Sequence, residues 1–254
     1  MIDSHIASTS SPLTLSIDIG GSHLKAAVLS ASGEMVTERA RVVTPNPAKP
    51  TAVVEALSGL SSQLGPFDRI SIGFPGVVRG DQVLTAPNLG TTYWASFRLS
   101  EVLGKALGRP ARMLNDATIQ GLGVIEGRGL ECVLTMGTGM GFALFQDGGV
   151  APHLEMSQHP IKTGKTYDDY VGEKALETVG HKHWNKRVRT VIALLETVVN
   201  YDVLYIGGGN ARLIDAPLPA RVKTVSNEAG VTGGVRLWDR RMDHVFEPRP
   251  GFAS

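Results

Sequence analysis

The chain has little of several features that would mark a protein class. Its 254 residues include a single cysteine, Cys132, so an intramolecular disulfide and a thiolate cluster for zinc are both excluded. Lys and Arg together number 25 against 24 Asp and Glu, and this balance gives no overall field that favours nucleic acid or an anionic membrane. No apolar run reaches the roughly 18 residues of a membrane span, and residues 1–12 lack the basic start and apolar core of a secretion signal. We therefore expect a cytoplasmic protein with no membrane partner and no nucleic-acid partner.

The sequence does contain enough apolar material for a sizeable core, because 42% of its residues are hydrophobic. Strands alternate with helices, and a unit of strand, glycine turn and strand occurs near the start and again near the middle. A third strand is predicted over 34–43. This order predicts an α/β protein with two similar lobes that face a central cleft. The N-terminal lobe would span residues 1–113 and the C-terminal lobe residues 114–254, with the last segment packing back on the first lobe.

The first glycine turn lies in "LSIDIGGSHLKAAVL", residues 15–29. Two adjacent glycines allow positive φ and let a ligand approach the backbone, so amides there can face phosphate oxygens. Asp18 lies beside the turn, where a carboxylate can hold Mg²⁺ directly or through water, and Lys25 supplies a compact positive charge. These groups suit phosphoryl transfer. The alternative is an ordinary tight hairpin in which turn amides satisfy Asp18 and Lys25 faces solvent.

A second turn, "TMGTGMGF", places Gly137, Thr138, Gly139 and Gly141 between two apolar strands. It is another loop of small residues suited to an anion, and two such loops favour a phosphate-binding cleft more strongly than one. The spacing matches neither the dinucleotide-binding GxGxxG pattern nor the P-loop. The "GKT" of "HPIKTGKT" is not a P-loop either, because the required upstream glycine position holds His159.

A strand delivers Asn115 and Asp116 to the start of a helix in "LNDATIQGLG". A carboxylate in that place gains from the helix dipole, and a simple helix cap is the alternative role. A cleft with two phosphate loops needs a carboxylate that accepts the proton of an attacking hydroxyl. Asp116 is the best candidate for this general base.

Taken together, these motifs resemble the ROK family of sugar kinases, and the likeness runs over nearly the whole chain. "DIGGSHLK" resembles the first phosphate motif of the family, "LNDAT" its catalytic-aspartate motif, "TMGTGMGFALFQDG" its second phosphate motif and "YIGGGN" its adenosine motif. The segment "YDDYVGEKALETVGHKHWNKRV" is similar to the helical region of the bacterial polyphosphate glucokinases and polyphosphate/ATP glucomannokinases. The resemblance implies a two-lobed actin-like ATPase fold, of the hexokinase and ribonuclease H-like type, with a central cleft.

The resemblance also implies an activity, the transfer of a phosphoryl group from polyphosphate, ATP or both to the 6-hydroxyl of glucose, with mannose as a further acceptor. Asp116 would be the base, and Asn115 would hold neighbouring sugar hydroxyls. Mg²⁺ is the expected cofactor with Asp18 as its ligand, no zinc is expected because the cysteine-rich zinc motif is missing, and a homodimer is the expected assembly. The residues that would bind phosphate or donor are Asp18, Gly20, Gly21 and Lys25 on the first turn, Thr138 and Gly139 on the second, and Gly208 and Gly209 on the nucleotide side.

The sugar pocket departs from the family pattern. Where the family usually has E-L-G-H, this chain reads "EMSQH". Glu155 aligns with the family's glutamate, but the histidine position falls on Gln158, with His159 one place later, so either side chain is a candidate for the sugar contact. A second acidic contact falls on Asp168, where the family more often has Glu. A site built around sugar hydroxyls discriminates strongly between sugars. A glutamine at the histidine position can therefore change which sugar is preferred, and the sugar specificity stays open.

Two other functions remain open. A sugar-responsive transcriptional regulator, also represented in the family, is disfavoured because only 12 residues precede the first strand, too few for a helix-turn-helix. A sugar-binding or polyphosphate-binding protein with weakened catalysis is suggested by the irregular "EMSQH". The basic cluster "HKHWNKRVR" is either a solvated helix face or a track for a polyanionic donor. Trp184 and Trp238 are expected in the core or between the lobes.

Overall fold

The structure, a computed structural model, describes residues 11–226 and 232–247. The strands are β1 Thr14–Ile19, β2 His23–Leu29, β3 Ala40–Val43, β4 Arg69–Phe74, β5 Val78–Arg79, β6 Gln82–Val83, β7 Ala111–Asn115, β8 Leu130–Met136, β9 Met140–Gln146, β10 Gly149–Val150, β11 Pro160–Lys162, β12 Lys165–Thr166, β13 Val203–Gly207 and β14 Val222–Thr224. The helices are α1 Pro50–Ser61, α2 Thr91–Trp94, α3 Leu99–Leu107, α4 Asp116–Leu122, α5 Tyr167–Val171, α6 Glu173–Val199, α7 Gly233–Arg236 and α8 Asp243–Phe246. A 3₁₀ turn lies at Met156–Gln158, and α6 is broken at Gly180, whose φ is +72°.

Two five-stranded sheets share one strand order. The first runs β3-β2-β1-β4-β7 and the second runs β10-β9-β8-β13-β14. In the first sheet β1 pairs antiparallel with β2 and parallel with β4, and in the second β8 pairs in the same two ways with β9 and β13. The predicted α/β class and the repeated unit of strand, glycine turn and strand are therefore confirmed. The predicted lobe boundary after residue 113 falls within β7 and stays a prediction.

Alternation along β1 decides which side chains are buried in the first core. Leu15, Ile17 and Ile19 are buried and belong to that core. Successive side chains of a strand point to opposite faces, so Ser16 and Asp18 lie on the other face, and both border the cleft described below. One strand thus supplies both the core and the site.

Helices cover the two cores. Val53, Leu57 and Leu60 of α1 are buried in the first core, as their helical spacing predicts. In the second core, Trp184 of α6 is fully buried and its indole Nε1 donates to the carbonyl of Val171 at 2.8 Å. Among the described residues, every helix lacks the combination of length and hydropathy that crossing a bilayer requires.

The carboxyl ends of parallel strands place the functional loops. β1, β4 and β7 run parallel and end at Ile19, Phe74 and Asn115. In the second sheet the parallel strands β8 and β13 end at Met136 and Gly207. Ligands of open α/β sheets bind beyond the carboxyl ends of such strands. Four loops and the start of α4 follow these five residues, and they therefore border a single cleft.

The third predicted strand was too long. The prediction covered 34–43, whereas β3 spans only Ala40–Val43, and Met35 makes no more than an isolated bridge. The side chain of Thr37 accepts the amide of Val28 at 3.0 Å, so a hydroxyl takes the place of a ladder carbonyl there. This side-chain bond delays the start of the strand.

The described end of the chain lies against the first sheet. Ser71 Oγ of β4 donates to the carbonyl of Gly234 at 2.6 Å, and the indole Nε1 of Trp238 donates to Ser71 Oγ at 2.9 Å. The guanidinium of Arg112 lies 4.6 Å from the Trp238 ring centre and pairs with Asp243 at 2.7 Å. Trp238 therefore anchors the C-terminal segment on strands of the first sheet.

Candidate active site

A cleft of about 390 Å³ opens between the carboxyl ends of the two sheets. Both glycine turns, the start of α4 and the segment leading into the 3₁₀ turn border it. The predicted site residues on this border are Asp18, Gly20, Gly21, Lys25, Asn115, Asp116, Thr138, Gly139, Glu155, Asp168, Gly208 and Gly209. Gln158 and His159 lie outside it.

The first turn holds a charged pair at the cleft. The antiparallel register places Asp18 directly opposite Lys25, and Lys25 Nζ lies 3.3 Å from Asp18 Oδ2, with the two side chains 40% and 47% exposed. The amide of Gly20 donates to the carbonyl of His23 at 3.0 Å, and Thr44 Oγ1 donates to the carbonyl of Gly20 at 2.7 Å. A Cβ on Gly20 would lie 3.0 Å from the same His23 oxygen, so this turn favours glycine.

The start of α4 separates the cap from the candidate base. Asn115 Oδ1 accepts the amide of Thr118 at 3.2 Å, and its Nδ2 donates to the carbonyl of Gly76 at 3.2 Å. Asn115 is therefore the helix cap. Asp116 is the first helical residue, and its Oδ1 accepts the amide of Ala117 at 2.8 Å. The other oxygen of Asp116 remains available for chemistry in the cleft.

The environment of Asp116 raises the pKa of its carboxyl group to about 7. Burial is the largest cause, and the negative charges of Asp18 and Glu155 act in the same direction, whereas the amide of Ala117 and the charge of His153 act against them. A general base is most effective when its pKa lies near the working pH. Asp116 therefore has both the position and the proton affinity of a base.

Asp168, at the start of α5, fixes the second turn. Its Oδ1 accepts the amide of Met140 at 2.7 Å, and its Oδ2 accepts from Gln158 Nε2 at 3.3 Å. A Cβ on Gly139 would lie 2.7 Å from Asp168 Oδ1, so a larger residue there would push the Asp168 carboxylate away from the Met140 amide. Burial raises the pKa of Asp168, although the Met140 amide opposes it. One carboxylate oxygen of Asp168 thus binds the second turn and the other binds Gln158. The predicted sugar contact of Asp168 stays a prediction.

The loop after β13 joins the second turn. Gly208 has φ of +89°, and a Cβ there would lie 2.2 Å from the carbonyl oxygen of Met136, so only glycine fits. The amide of Asn210 donates to the same oxygen at 3.0 Å, and Asn210 Nδ2 donates to the carbonyl of Gly137 at 3.3 Å. The loop after β13 is therefore hydrogen-bonded to the second turn.

Two neighbours hold the carboxylate of Glu155. Ser157 Oγ donates to Glu155 Oε1, and His153 Nε2 lies 3.4 Å from Glu155 Oε2. Burial acts to raise the pKa of Glu155, but these two hydrogen bonds outweigh it and the pKa is lowered. The 3₁₀ turn leaves Gln158 and His159 exposed outside the cleft. The amide of Gln158 donates to the carbonyl of Glu155 at 3.3 Å, and its Nε2 donates to Ser157 Oγ at 3.2 Å, so Gln158 lies next to Glu155 although its side chain does not border the cleft.

The sequence reasoning missed His153, Ser157 and Arg39, which all border the cleft. His153 precedes Glu155 by two residues, and in extended backbone such a pair shares one side. That spacing was the available signal for His153. No local pattern pointed to Arg39, because its position depends on how β3 pairs with β2.

The residues at the first turn fit a magnesium ion. The Asp18 carboxylate is half exposed in the cleft, and its charge contributes to the raised pKa of Asp116. Mg²⁺ keeps several waters and is commonly bound by one or two carboxylates together with substrate phosphates. Within residues 11–226 and 232–247, no three His, Cys, Asp or Glu side chains gather into a metal cage. A site made of Asp18 and donor phosphates agrees with this arrangement.

Comparison with known proteins identifies the family. The ROK family model matches residues 14–152. The chain is 30% identical over 238 residues to a polyphosphate glucokinase from Mycobacterium tuberculosis, and the aligned region covers 85% of this chain and 88% of that protein.

The solved structures agree. The inorganic polyphosphate/ATP-glucomannokinase from Arthrobacter sp. strain KM superposes with a TM-score of 0.80 at 27% identity, over 89% of this chain and 97% of that one. A ROK family glucokinase from Streptomyces griseus, in complex with glucose and AMPPNP, has a TM-score of 0.70 at 18% identity, over 89% and 98% of the two chains; this second likeness shows the fold alone. The fold is the predicted two-lobed actin-like ATPase fold. Because the family model matches more than half of the chain and the similarity to a relative extends along most of both proteins, the chain belongs to the ROK family.

Proposed function

We propose that this protein is a kinase that transfers a phosphoryl group from polyphosphate or ATP to the 6-hydroxyl of glucose. One observation carries the proposal: Asp116 lies at the start of α4, in the cleft between the two glycine turns. A carboxylate there can take the hydroxyl proton while the turns hold the donor. The polyphosphate glucokinase of M. tuberculosis supports glucose as acceptor, and the Arthrobacter glucomannokinase supports mannose as a second one.

The reaction balances with Asp116 as the base. The oxygen of the sugar 6-hydroxyl forms a bond to the terminal phosphorus of the donor, and Asp116 accepts the proton of that hydroxyl. The bond between this phosphorus and its bridging oxygen breaks, and the electron pair leaves on ADP or on a polyphosphate one unit shorter. Positioning and electrostatic stabilisation supply most of the catalysis in such transfers.

The donor side is shared between the two turns. In this proposal Lys25 and the amides of the first turn hold the terminal phosphates from one side, and Thr138 with Gly139 holds them from the other. Gly208 and Gly209 border the cleft beyond the second turn, where an adenosine would lie. When bound at Asp18, Mg²⁺ would neutralise charge on the donor phosphates.

The sugar side is organised by Glu155. Its lowered pKa keeps the carboxylate ionised at neutral pH, so it can accept hydrogen bonds from two sugar hydroxyls. Asn115 borders the same cleft, and its Nδ2 donates to the carbonyls of Gly76 at 3.2 Å and Phe74 at 3.5 Å, so a sugar hydroxyl would take the place of the longer of these two bonds. We propose Glu155 and Asn115 as the principal sugar contacts, with Asp168 as a third.

The direct test is formation of glucose 6-phosphate by the purified protein with Mg²⁺. ATP and long-chain polyphosphate would be assayed in parallel, each with glucose, mannose and glucosamine. The Asp116→Asn variant, purified in the same way, controls for contaminating kinases. Turnover by the wild type that the variant lacks supports the proposal. Equal turnover by both proteins would refute the role of Asp116, and no turnover with any sugar or donor would refute the kinase.

A second candidate is a sugar-binding protein with weakened catalysis. The observation behind it is that Gln158, at the family's histidine position, lies outside the cleft. Calorimetry that detects glucose binding, together with no product from either donor, would favour this alternative. We further propose a cytoplasmic homodimer, and light scattering would test the dimer by a mass of twice the 27.0 kDa of one chain.

A further inference from the structure

We infer that Lys25, Arg39 and Arg41 form a cationic strip that binds the part of a long polyphosphate chain beyond the phosphates at the reaction centre. The inference rests on the proposed kinase function and concerns the donor side of the same cleft. It assigns a role to two arginines that neither the glycine turns nor Asp116 explain.

The strand register places the three cations on one face. Asp18 lies directly opposite Lys25 across β1 and β2, and Lys25 lies directly opposite Arg41 across β2 and β3. Residues directly opposite each other project from the same face of a sheet. Asp18 and Lys25 border the cleft, so Arg41 lies on the cleft face as well. Arg39 borders the cleft itself and lies two residues from Arg41, about 7 Å along an extended chain.

The two arginines are free to bind an anion. Both are exposed, and among the ion pairs and side-chain hydrogen bonds of the described residues none involves either guanidinium. The acidic group in the same row is Asp18, which already faces Lys25 at 3.3 Å. Unpaired guanidinium groups on neighbouring positions repel each other and gain from a polyanion that lies across both.

The cationic strip also runs in a direction that suits a long polyphosphate chain. β3 is the edge strand of the first sheet, so the cations extend from the first turn toward an open edge. A chain that carries a negative charge on every phosphate can follow this path for any length. ATP carries its charge on three phosphates and ends in adenosine, so the outer arginines favour polyphosphate over ATP.

The basic cluster of α6 is the weaker alternative. Arg187 lies over the ring of Tyr170 at 4.9 Å, and Arg189 donates to the carbonyl of Asp215 at 3.4 Å. The other members, such as Lys182 and Lys186, are exposed but do not border the cleft. Two exposed lysines on α6 make a matched control for two exposed arginines on the sheet face that leads into the cleft.

The experiment compares two double variants of the full chain. One is Arg39→Gln with Arg41→Gln, and the other is Lys182→Gln with Lys186→Gln. Calorimetry measures the Kd of long-chain polyphosphate, and steady-state assays measure kcat/KM with polyphosphate and with ATP. For the arginine variant we expect the Kd to rise about tenfold, three- to fivefold for each arginine, as exposed charge pairs allow. The ratio of kcat/KM for polyphosphate to that for ATP should fall by a similar factor, and the loss should shrink at high salt. The lysine variant should match the wild type.

The outcomes distinguish failure of the cationic strip from failure of the proposed kinase function. An unchanged polyphosphate Kd in the arginine variant, or an equal rise in the lysine variant, overturns the strip, as does a wild type that does not bind polyphosphate. A third variant, Arg39→Lys with Arg41→Lys, should retain most of the affinity because it keeps both charges. A wild type that binds polyphosphate but phosphorylates no sugar refutes the proposed kinase, and the binding comparison then still decides the strip.

Discussion

The two glycine turns occupy equivalent places in the two sheets, yet they are built from different chemistry. In the first, Asp18 and Lys25 are directly opposite each other. At the equivalent positions in the second, Thr135 is directly opposite Gly141. A Cβ on Gly141 would lie 2.2 Å from Thr135 Oγ1 and 2.8 Å from the Cβ of Ala117. The second turn therefore has no room for a lysine, because α4 packs where its side chain would lie.

This difference shows how two similar units can present different chemistry to one cleft. In the first turn this pair of positions has room for long side chains, and Asp18 and Lys25 occupy it. The second half gives that space to α4, whose first residue is Asp116. The first turn thus presents two charged side chains to the cleft, whereas the second packs against the helix that carries Asp116.

The largest effect should come from removing the base. We expect Asp116→Asn to lower kcat by about 10²–10⁴, the usual contribution of general-base catalysis. The amide has nearly the shape of the carboxyl group, so the fold should remain intact by circular dichroism. Turnover measured with glucose and each donor gives the result, and a variant within threefold of the wild type would mean that Asp116 is not the base.

The next largest effect should come from removing the charge of Asp18 in the first turn, with the uncharged second turn as the comparison. We expect Asp18→Asn to lower kcat by about 10²–10³, comparable with the loss of one electrostatic group at a reaction centre, and to weaken the apparent affinity for Mg²⁺. The counterpart variant, Thr135→Val, should leave the Mg²⁺ dependence unchanged. Kinetic titrations of Mg²⁺ measure both. Parallel changes in the two variants would show that the turns are not divided in this way.

A smaller effect tests the packing of α4 on the second turn. Gly141→Ala should lower the free energy of unfolding by about 1–3 kcal/mol because an added methyl group overfills a packed site. It should also lower kcat about tenfold, since a displaced α4 misplaces Asp116. Gly137→Ala is the control for stability, because a Cβ there meets no atom within 4 Å. Thermal unfolding of both variants should show a loss only for Gly141→Ala, and equal melting temperatures would contradict the packing argument.

The last effect concerns stability alone, as a dependence on pH. Burial and the negative charge of Asp18 raise the pKa of Asp116 from its ordinary value of 3.8 to about 7, so the folded protein binds this proton more tightly than the unfolded chain. The resulting stability is complete below about pH 4 and is lost as the pH rises to about 7. Relative to Asp116→Asn, the wild type in metal-free buffer should therefore lose melting temperature between these pH values, by at least about 2 °C. A difference between the two proteins that does not change with pH would show that Asp116 titrates normally.

Much of the site followed from short stretches of sequence. Two turns of small residues between apolar strands, and an Asn-Asp pair where a strand meets a helix, were sufficient to predict a cleft and to select Asp116. These are local signals, because the turn, the strand before it and the helix after it are contiguous. The start of the third strand was predicted wrongly because its cause is not local. There a bond between Thr37 and Val28, residues on different segments, altered the pairing.

Sequence alone determined the α/β class, the repeated unit and the residue types at the turns, since hydrophobic period and glycine placement act within a few positions. Only the tertiary structure decided that Asn115 is the cap and Asp116 is not, that Asp168 holds the second turn, and that His153 faces Glu155. It also placed Arg39 beside the cleft and Arg41 on the sheet face that carries Lys25. These facts depend on register between strands and on burial by distant segments, and no local pattern carries that information.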